Sequence, residues 1–153
     1  INFGGPGGCA SPFGCYENVG RAQYDGVTLS GQHSVANVQL RASVDFQDPK
    51  DRNSGRQLAR RAKRSANVAA ETQLAGWTVG AEVQAVGRRY DNAANTNVLG
   101  GYALLNLYTS TRIARDFVLT ARVDNLADKH YETARLYATS GRTLWVGLKW
   151  APN

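Results

Sequence analysis

The chain has 153 residues, is 42% hydrophobic and 20% charged, and carries two cysteines and a formal net charge of +6. No run approaches the roughly 18 apolar residues of a membrane-crossing helix, which excludes helical spans; strands that alternate average out their hydropathy, so a mean of −0.40 leaves a membrane barrel open. The positive charge suits polyanions such as nucleic acid, anionic lipid or lipopolysaccharide, and two Cys with two His fall short of a zinc ligand set.

Ile1 opens without a charged n-region or apolar h-region, so either a leader has been removed or the start is internal. Ile1 to Cys15 (INFGGPGGCASPFGC) has the Gly, Pro and Ser content of a loop. Cys9 and Cys15 suit a short disulfide staple if the chain is exported to an oxidising compartment. From Tyr16 a strand runs to Gly31. Its apolar phase shifts from even positions (Ala22, Tyr24) to odd ones (Val27, Leu29), which predicts a bulge at Gly26. Gln32 to Asn37 reads as a turn, with His33 inside it.

Val38, Leu40, Ala42, Val44 and Phe46 then alternate with Gln39, Arg41, Ser43, Asp45 and Gln47, the clearest amphipathic strand in the chain. Gln47 to Arg56 is a charged loop. Gln57 to Ala75 is rich in helix formers and reads as a basic helix by propensity, yet period two also fits residues 62–74, with Arg64 and Ala69 as misfits.

After the turn at Ala75-Gly76, Trp77, Val79, Ala81, Val83 and Ala85 alternate with Thr78, Gly80, Glu82 and Gln84. Arg89 to Leu99 is a polar loop, Gly101 to Thr111 a strand, and Arg112 to Asp116 a turn. Phe117, Leu119, Ala121 and Val123 alternate with Arg122 and Asp124, and the closing strand places Leu144, Val146, Leu148 and Trp150 on one face, with Trp145 a bulky exception on the other. Seven antiparallel strands result. Their connections alternate between short ones, near 33–37, 75–76 and 112–116, and long ones, near 48–60, 89–99 and 127–140, which is the asymmetry of outer-membrane barrels.

Local wording sharpens this all-β reading. Asn125-Leu126-Ala127-Asp128-Lys129-His130-Tyr131-Glu132, followed by Tyr137, Gly141-Arg142 and the alternating closing strand, resembles the carboxyl end of TonB-dependent outer-membrane receptors. Tyr16-x-Asn18-x-Gly20-x-Ala22 with Gly26-Val27, Leu58-Ala59-Arg60-Arg61-Ala62-Lys63, and Val86-Gly87-x-Arg89-Tyr90-Asp91 resemble further rim and strand motifs of that family, with Thr28 where Glu is usual. The likeness is closest to the cobalamin-transporter branch.

The resemblance implies that residues 16–150 are the C-terminal seven or so strands of a transmembrane β-barrel, 22-stranded in the full-length family. Residues 1–15 then form an extracellular loop, with the Cys9–Cys15 staple in it, and 151–153 a tail after Trp150, where the family usually ends on an aromatic. It decides for a strand over 62–74. It implies a Gram-negative outer-membrane location and active uptake of cobalamin, a metal chelate or a siderophore. The partners it implies are TonB, through a region absent from this chain, and the plug domain of the same full-length chain.

At the outer rim the Arg60-Arg61-Ala62-Lys63-Arg64 run would meet lipid and lipopolysaccharide phosphates. The alternative is a basic soluble nucleic-acid-binding domain using 57–75 as a helix, but the aromatics that bases stack on are absent nearby. Arg41, Asp45, Glu71, Glu82, Arg88, Arg122, Asp124 and Lys149 fall on the inner face, where interstrand ion pairs and plug contacts are expected. No nucleophile motif accompanies these carboxylates, so neither an enzyme nor a bound cofactor or metal is expected. Substrate contacts are expected from outer loops: Arg52, Tyr90, Asn92, Tyr131, Arg135 and Tyr137, beside Asp51, Asn53 and Asp91.

Overall fold

The computed structural model describes residues 2–4, 10–17 and 20–152. In chain order its strands are β1 (Asn2–Gly4), β2 (Cys15–Glu17), β3 (Ala22–Val35), β4 (Val38–Asp51), β5 (Arg64–Leu74), β6 (Trp77–Val86), β7 (Arg89–Tyr90), β8 (Val98–Leu99), β9 (Tyr102–Ala114), β10 (Phe117–Asp124) and β11 (Thr143–Trp150). Seven of them form one antiparallel sheet in the order β11-β10-β9-β6-β5-β4-β3, while β1 pairs with β2 and β7 with β8. Each long strand therefore neighbours the next long strand in the chain, a meander with no crossover.

At one end the connections shrink to two residues: Ala36-Asn37, Ala75-Gly76 and Arg115-Asp116. Ala75 and Gly76 both adopt positive φ, 50° and 82°, the geometry that lets a two-residue loop follow the twist of a hairpin. At the other end lie the long connections 52–63, 87–101 and 125–142, the middle one carrying β7 and β8.

Residues directly opposite in an antiparallel ladder share a face. The register places Leu40, Ala70, Ala81, Leu107, Val123 and Leu144 in one row across six strands. Every member of that row is apolar. Two rows further toward the outer loops, Val44, Ala66, Ala85 and Ala103 do the same, and toward the short turns Val38, Val79, Ala121 and Val146 share the face with Thr72 and Thr109. On the opposite face Gln39, Glu71, Gly80, Tyr108, Arg122 and Trp145 make a polar and aromatic row.

The sheet is one layer thick, so its apolar face has no second layer to bury it. Leu144, Val146 and Leu148 are 67%, 68% and 61% exposed, and among the described residues the buried apolar side chains are few, Leu99, Leu104 and Pro49. A continuous apolar surface of this kind requires a hydrophobic medium. Trp77, Phe117 and Trp150 sit on that face at the short-turn end, where an interface would want aromatic rings.

Several expectations change in detail. The β3–β4 register runs without a break from Ala22–Asp51 to Val35–Val38, so there is no bulge at Gly26; the phase shift arises because Tyr24 faces the polar side, where its hydroxyl donates to Gln47. His33 is within β3, opposite Leu40, because the turn is shorter than the polar run around it. Tyr16 belongs to β2 and pairs with Phe3, and the sheet begins at Ala22. The ladder's one register shift lies between Phe117 and Val118. Residues 64–74 are a strand despite their helix propensity, because β4 and β6 supply a ladder on both sides.

An arginine at the middle of the lipid face of a barrel costs about 2–4 kcal/mol. In a full-length receptor carrying this segment, Val83→Arg should impair assembly into lipid vesicles, while the neighbouring Gln84→Arg on the polar face should assemble normally. Equal assembly of the two would contradict the assignment of faces.

Candidate functional site

Around Arg122 and Tyr108 the polar face is internally paired. Arg122 on β10 reaches Glu82 on β6 at 3.0 Å and Asp124 on its own strand at 2.6 Å. With 39% of the Arg122 side chain exposed, each pair is worth about 0–1 kcal/mol as the segment stands. Beside it the Tyr108 hydroxyl donates to Glu71 at 3.0 Å, which means that a β9 side chain crosses β6 to reach β5. Gly80 makes this possible, because a Cβ there would lie 2.2 Å from the Tyr108 ring.

Above this row the N-L-x-D-K wording acquires a physical role. Asn125, only 3% exposed and at φ 52°, accepts from the Lys129 N–H through Oδ1 and donates through Nδ2 to the Lys129 carbonyl. Its own N–H donates to Oδ1 of buried Asn106. Asp128 Oδ1 accepts from the Arg142 N–H at 2.8 Å, and a Cβ on Gly141 would lie 2.6 Å from that oxygen. The motif thus closes the base of the last long loop onto the start of β11.

The three long connections are tied together. Arg60 Nε donates to Asp91 Oδ1 at 2.8 Å, and the Arg135 N–H reaches the same oxygen at 3.2 Å. Asn95 joins Gln57 by two bonds, accepting from its N–H and donating to its carbonyl. Arg89, 4% exposed, donates to the Glu132 carbonyl at 2.7 Å and lies 5.4 Å from the centre of the Tyr102 ring, which packs against Tyr131 with centres 4.4 Å apart and planes tilted by 40°. Burial raises the Asp91 pKa, but the hydrogen bond from Arg60, the Arg135 N–H and both positive charges outweigh it and hold the carboxyl below the ordinary aspartate range.

The expected contact residues divide among these roles. Tyr90 lies in β7 and its carbonyl accepts from the Arg60 N–H. Asn92 folds its loop locally, accepting from Thr96 and Asn97 N–H groups, and Arg135 also donates to Asn97 at 2.8 Å. Tyr131 and Tyr137 line a cleft of about 470 Å³ with His130, Glu132 and Leu136, where Tyr137 is 69% exposed. Arg52 stands apart from the other five and donates to Gln23 on β3 at 2.6 Å. Cys15 is disulfide-bonded; Cys9 lies outside the described residues.

Sequence reading missed Arg60, Asp91, Arg89 and Tyr102 as the ties between loops, although all but Tyr102 lie in rim motifs. It also treated the basic run as one patch. Arg60 is committed to Asp91, Arg61 lines a cleft on the polar face, Lys63 pairs with Asp48 at 3.2 Å, and Arg64 lies on the apolar-face row opposite Phe46.

A family model described as TonB dependent receptor-like, beta-barrel, matches residues 1–126. The Vitamin B12 transporter BtuB of Vibrio cholerae serotype O1 is 33% identical over 141 residues, covering 87% of this chain and 23% of that protein. That of Vibrio vulnificus is 29% identical over 143 residues, covering 94% and 22%. The chain thus spans less than a quarter of the length of these relatives. Among solved structures, Copper transporter OprC superposes with a TM-score of 0.74 at 20% identity, over 85% of this chain and 23% of its own. BauA, the ferric preacinetobactin receptor from Acinetobacter baumannii, gives 0.72 at 23%, over 95% and 24%. These two likenesses speak for the fold alone.

Gly80→Ala should destabilise a full-length receptor by roughly 1–3 kcal/mol through overpacking against Tyr108. Adding Tyr108→Ala should recover part of that loss, so the two substitutions are non-additive in heat-unfolding measurements; simple additivity would contradict the Tyr108 crossing. A depressed Asp91 pKa stabilises above the ordinary aspartate value and is lost as pH falls through the lowered one. The gap in unfolding midpoint between the parent and Asp91→Asn should therefore be constant above about pH 5 and close only in stronger acid.

Proposed function

The chain belongs to the TonB-dependent receptor β-barrel family, a family of the Gram-negative outer membrane, and from that premise we propose that it forms part of the wall and outer platform of a cobalamin receptor. The observation that supports this reading most is the division of one sheet into an apolar and a polar face, with three interlocked loops standing at the end away from the two-residue turns. Similarity to the Vitamin B12 transporters named above favours cobalamin over a siderophore or another metal chelate.

On this reading the apolar face meets lipid and the polar face lines the lumen. Substrate arrives on the outer platform, where the Tyr131 and Tyr137 rings border a cleft with backbone and side-chain polar groups beside them. A corrinoid, with broad apolar faces and an amide-rich rim, suits a cleft of that mixed character. The plug of the full-length chain sits against the polar face, and TonB, engaging a region outside this segment, supplies the energy that displaces it.

The wall is suited to such a passage. Arg122 pairs with both Glu82 and Asp124, so a departing plug leaves none of the three without an ionic partner. Arg64, on the lipid-face row opposite Phe46, meets lipopolysaccharide phosphates. Residues 22–150 then act as the wall with its loops. The role is transport, with no catalytic step assigned to the chain.

The full-length receptor, expressed in a Gram-negative strain lacking its own cobalamin receptor, should restore saturable uptake of radiolabelled cyanocobalamin. A protonophore should abolish that uptake and leave surface binding. Absence of binding, or displacement of the label by a ferric siderophore, would overturn the cobalamin assignment.

A further inference from the structure

Where β3, β4, β5 and β6 approach the outer end, the polar face holds a cleft of about 260 Å³ lined by Tyr24, Gln47, Arg61, Ser65, Asn67 and Gln84, among others. Some of its polar groups are already committed. The Tyr24 hydroxyl donates to Gln47, Ser65 donates to Asp45, and Arg60, also in the lining, is held by Asp91. Others are open: among the described residues, the Arg61 guanidinium and the Asn67 and Gln84 amides make no hydrogen bond or ion pair.

Asn67 and Gln84 are direct partners across the β5–β6 ladder, so their amides stand side by side. The lining contains no carboxylate. One uncommitted positive charge in the same cleft as two uncommitted amides, with no acid in the lining, attracts an anion with hydrogen-bonding groups around it. The volume is below that of a pocket for a drug-sized ligand, so the cleft receives one arm of a larger molecule.

Cobalamin carries a single phosphodiester, on its nucleotide arm, next to a rim of carboxamides. Resting on the uptake reading above, we propose that this cleft is the subsite for that phosphodiester, with Arg61 as its charge partner and Asn67 and Gln84 bonding the neighbouring carboxamides. The arm is then held by the wall while the corrin faces the loop platform. A ligand oriented this way is gripped at two separated points, which favours the complete cobalamin over corrinoids that lack the arm.

Equilibrium binding of cyanocobalamin and of dicyanocobinamide, which lacks the phosphodiester, to the full-length receptor tests this. Arg61→Ala should weaken cyanocobalamin binding by roughly ten- to a hundredfold, the loss of one charge-assisted contact, and leave dicyanocobinamide binding unchanged. Arg61→Lys should keep most of the affinity. Retained dicyanocobinamide binding also reports that the variant is folded; if Arg61→Ala does not assemble, Arg61→Gln makes the same comparison. No change for either ligand would overturn the subsite, as would an equal loss for both, the outcome expected if Arg61 instead holds a carboxylate of the plug. A parent receptor that binds neither corrinoid overturns the uptake reading and the subsite with it, whereas a parent that binds cyanocobalamin with an Arg61→Ala variant that binds it as well overturns the subsite alone.

Discussion

The cross-strand ladder is the constraint from which the other features follow. In lipid, no water is present to receive an unpaired backbone N–H or carbonyl, so each inner strand must be hydrogen-bonded along both edges. Once the register is set, so is the side of the sheet on which every residue stands. Leu107 cannot face lipid unless Asn106 and Tyr108 face the other way. This coupling makes the six-residue apolar row through Leu40, Ala70, Ala81, Leu107, Val123 and Leu144 inseparable from the polar row beside it.

The polar side uses that fixed register to build contacts longer than one strand spacing. Tyr108 reaches Glu71 over Gly80, and Arg122 reaches from β10 to Glu82 on β6 across β9. Such contacts bind three or more strands into one unit and stiffen the wall at mid-height. Nearer the outer end the pattern changes, since the Tyr24, Gln47 and Ser65 groups pair locally while Arg61, Asn67 and Gln84 stay open.

The loops are held by a different means. They have little hydrophobic core, Leu99 being their one fully buried apolar side chain among the described residues, and depend on shared polar groups: one carboxylate oxygen of Asp91 serves Arg60 and the Arg135 backbone, and one amide of Asn95 serves Gln57 at both ends. Shared acceptors of this kind couple the loops, so that moving one loosens its neighbours. The Tyr131 and Tyr137 cleft is bordered by that coupled assembly and rests on the Asn125–Asp128 turn beneath it.

The sequence by itself determined most of the long strands, their faces and the two classes of connection, because period-two alternation and turn residues are local properties. It also displayed the Asn125 and Asp128 motif, although only the folded chain reveals why Gly141 must follow: the Asp128 carboxylate occupies the space a side chain would take. Local signals failed where partners are distant in sequence. Propensity favoured a helix over 64–74, yet ladders on both sides impose a strand; the phase shift at Tyr24 suggested a bulge, yet a partner 23 residues away, Gln47, accounts for it. Tyr90, Asn92 and Arg135 were visible as loop residues, but their convergence around Asp91 and Asn97, and the division of Arg60, Arg61, Lys63 and Arg64 among different surroundings, were decided by tertiary structure alone. Pairing between loops depends on where the barrel strands deliver their ends, and no window of the sequence contains both partners.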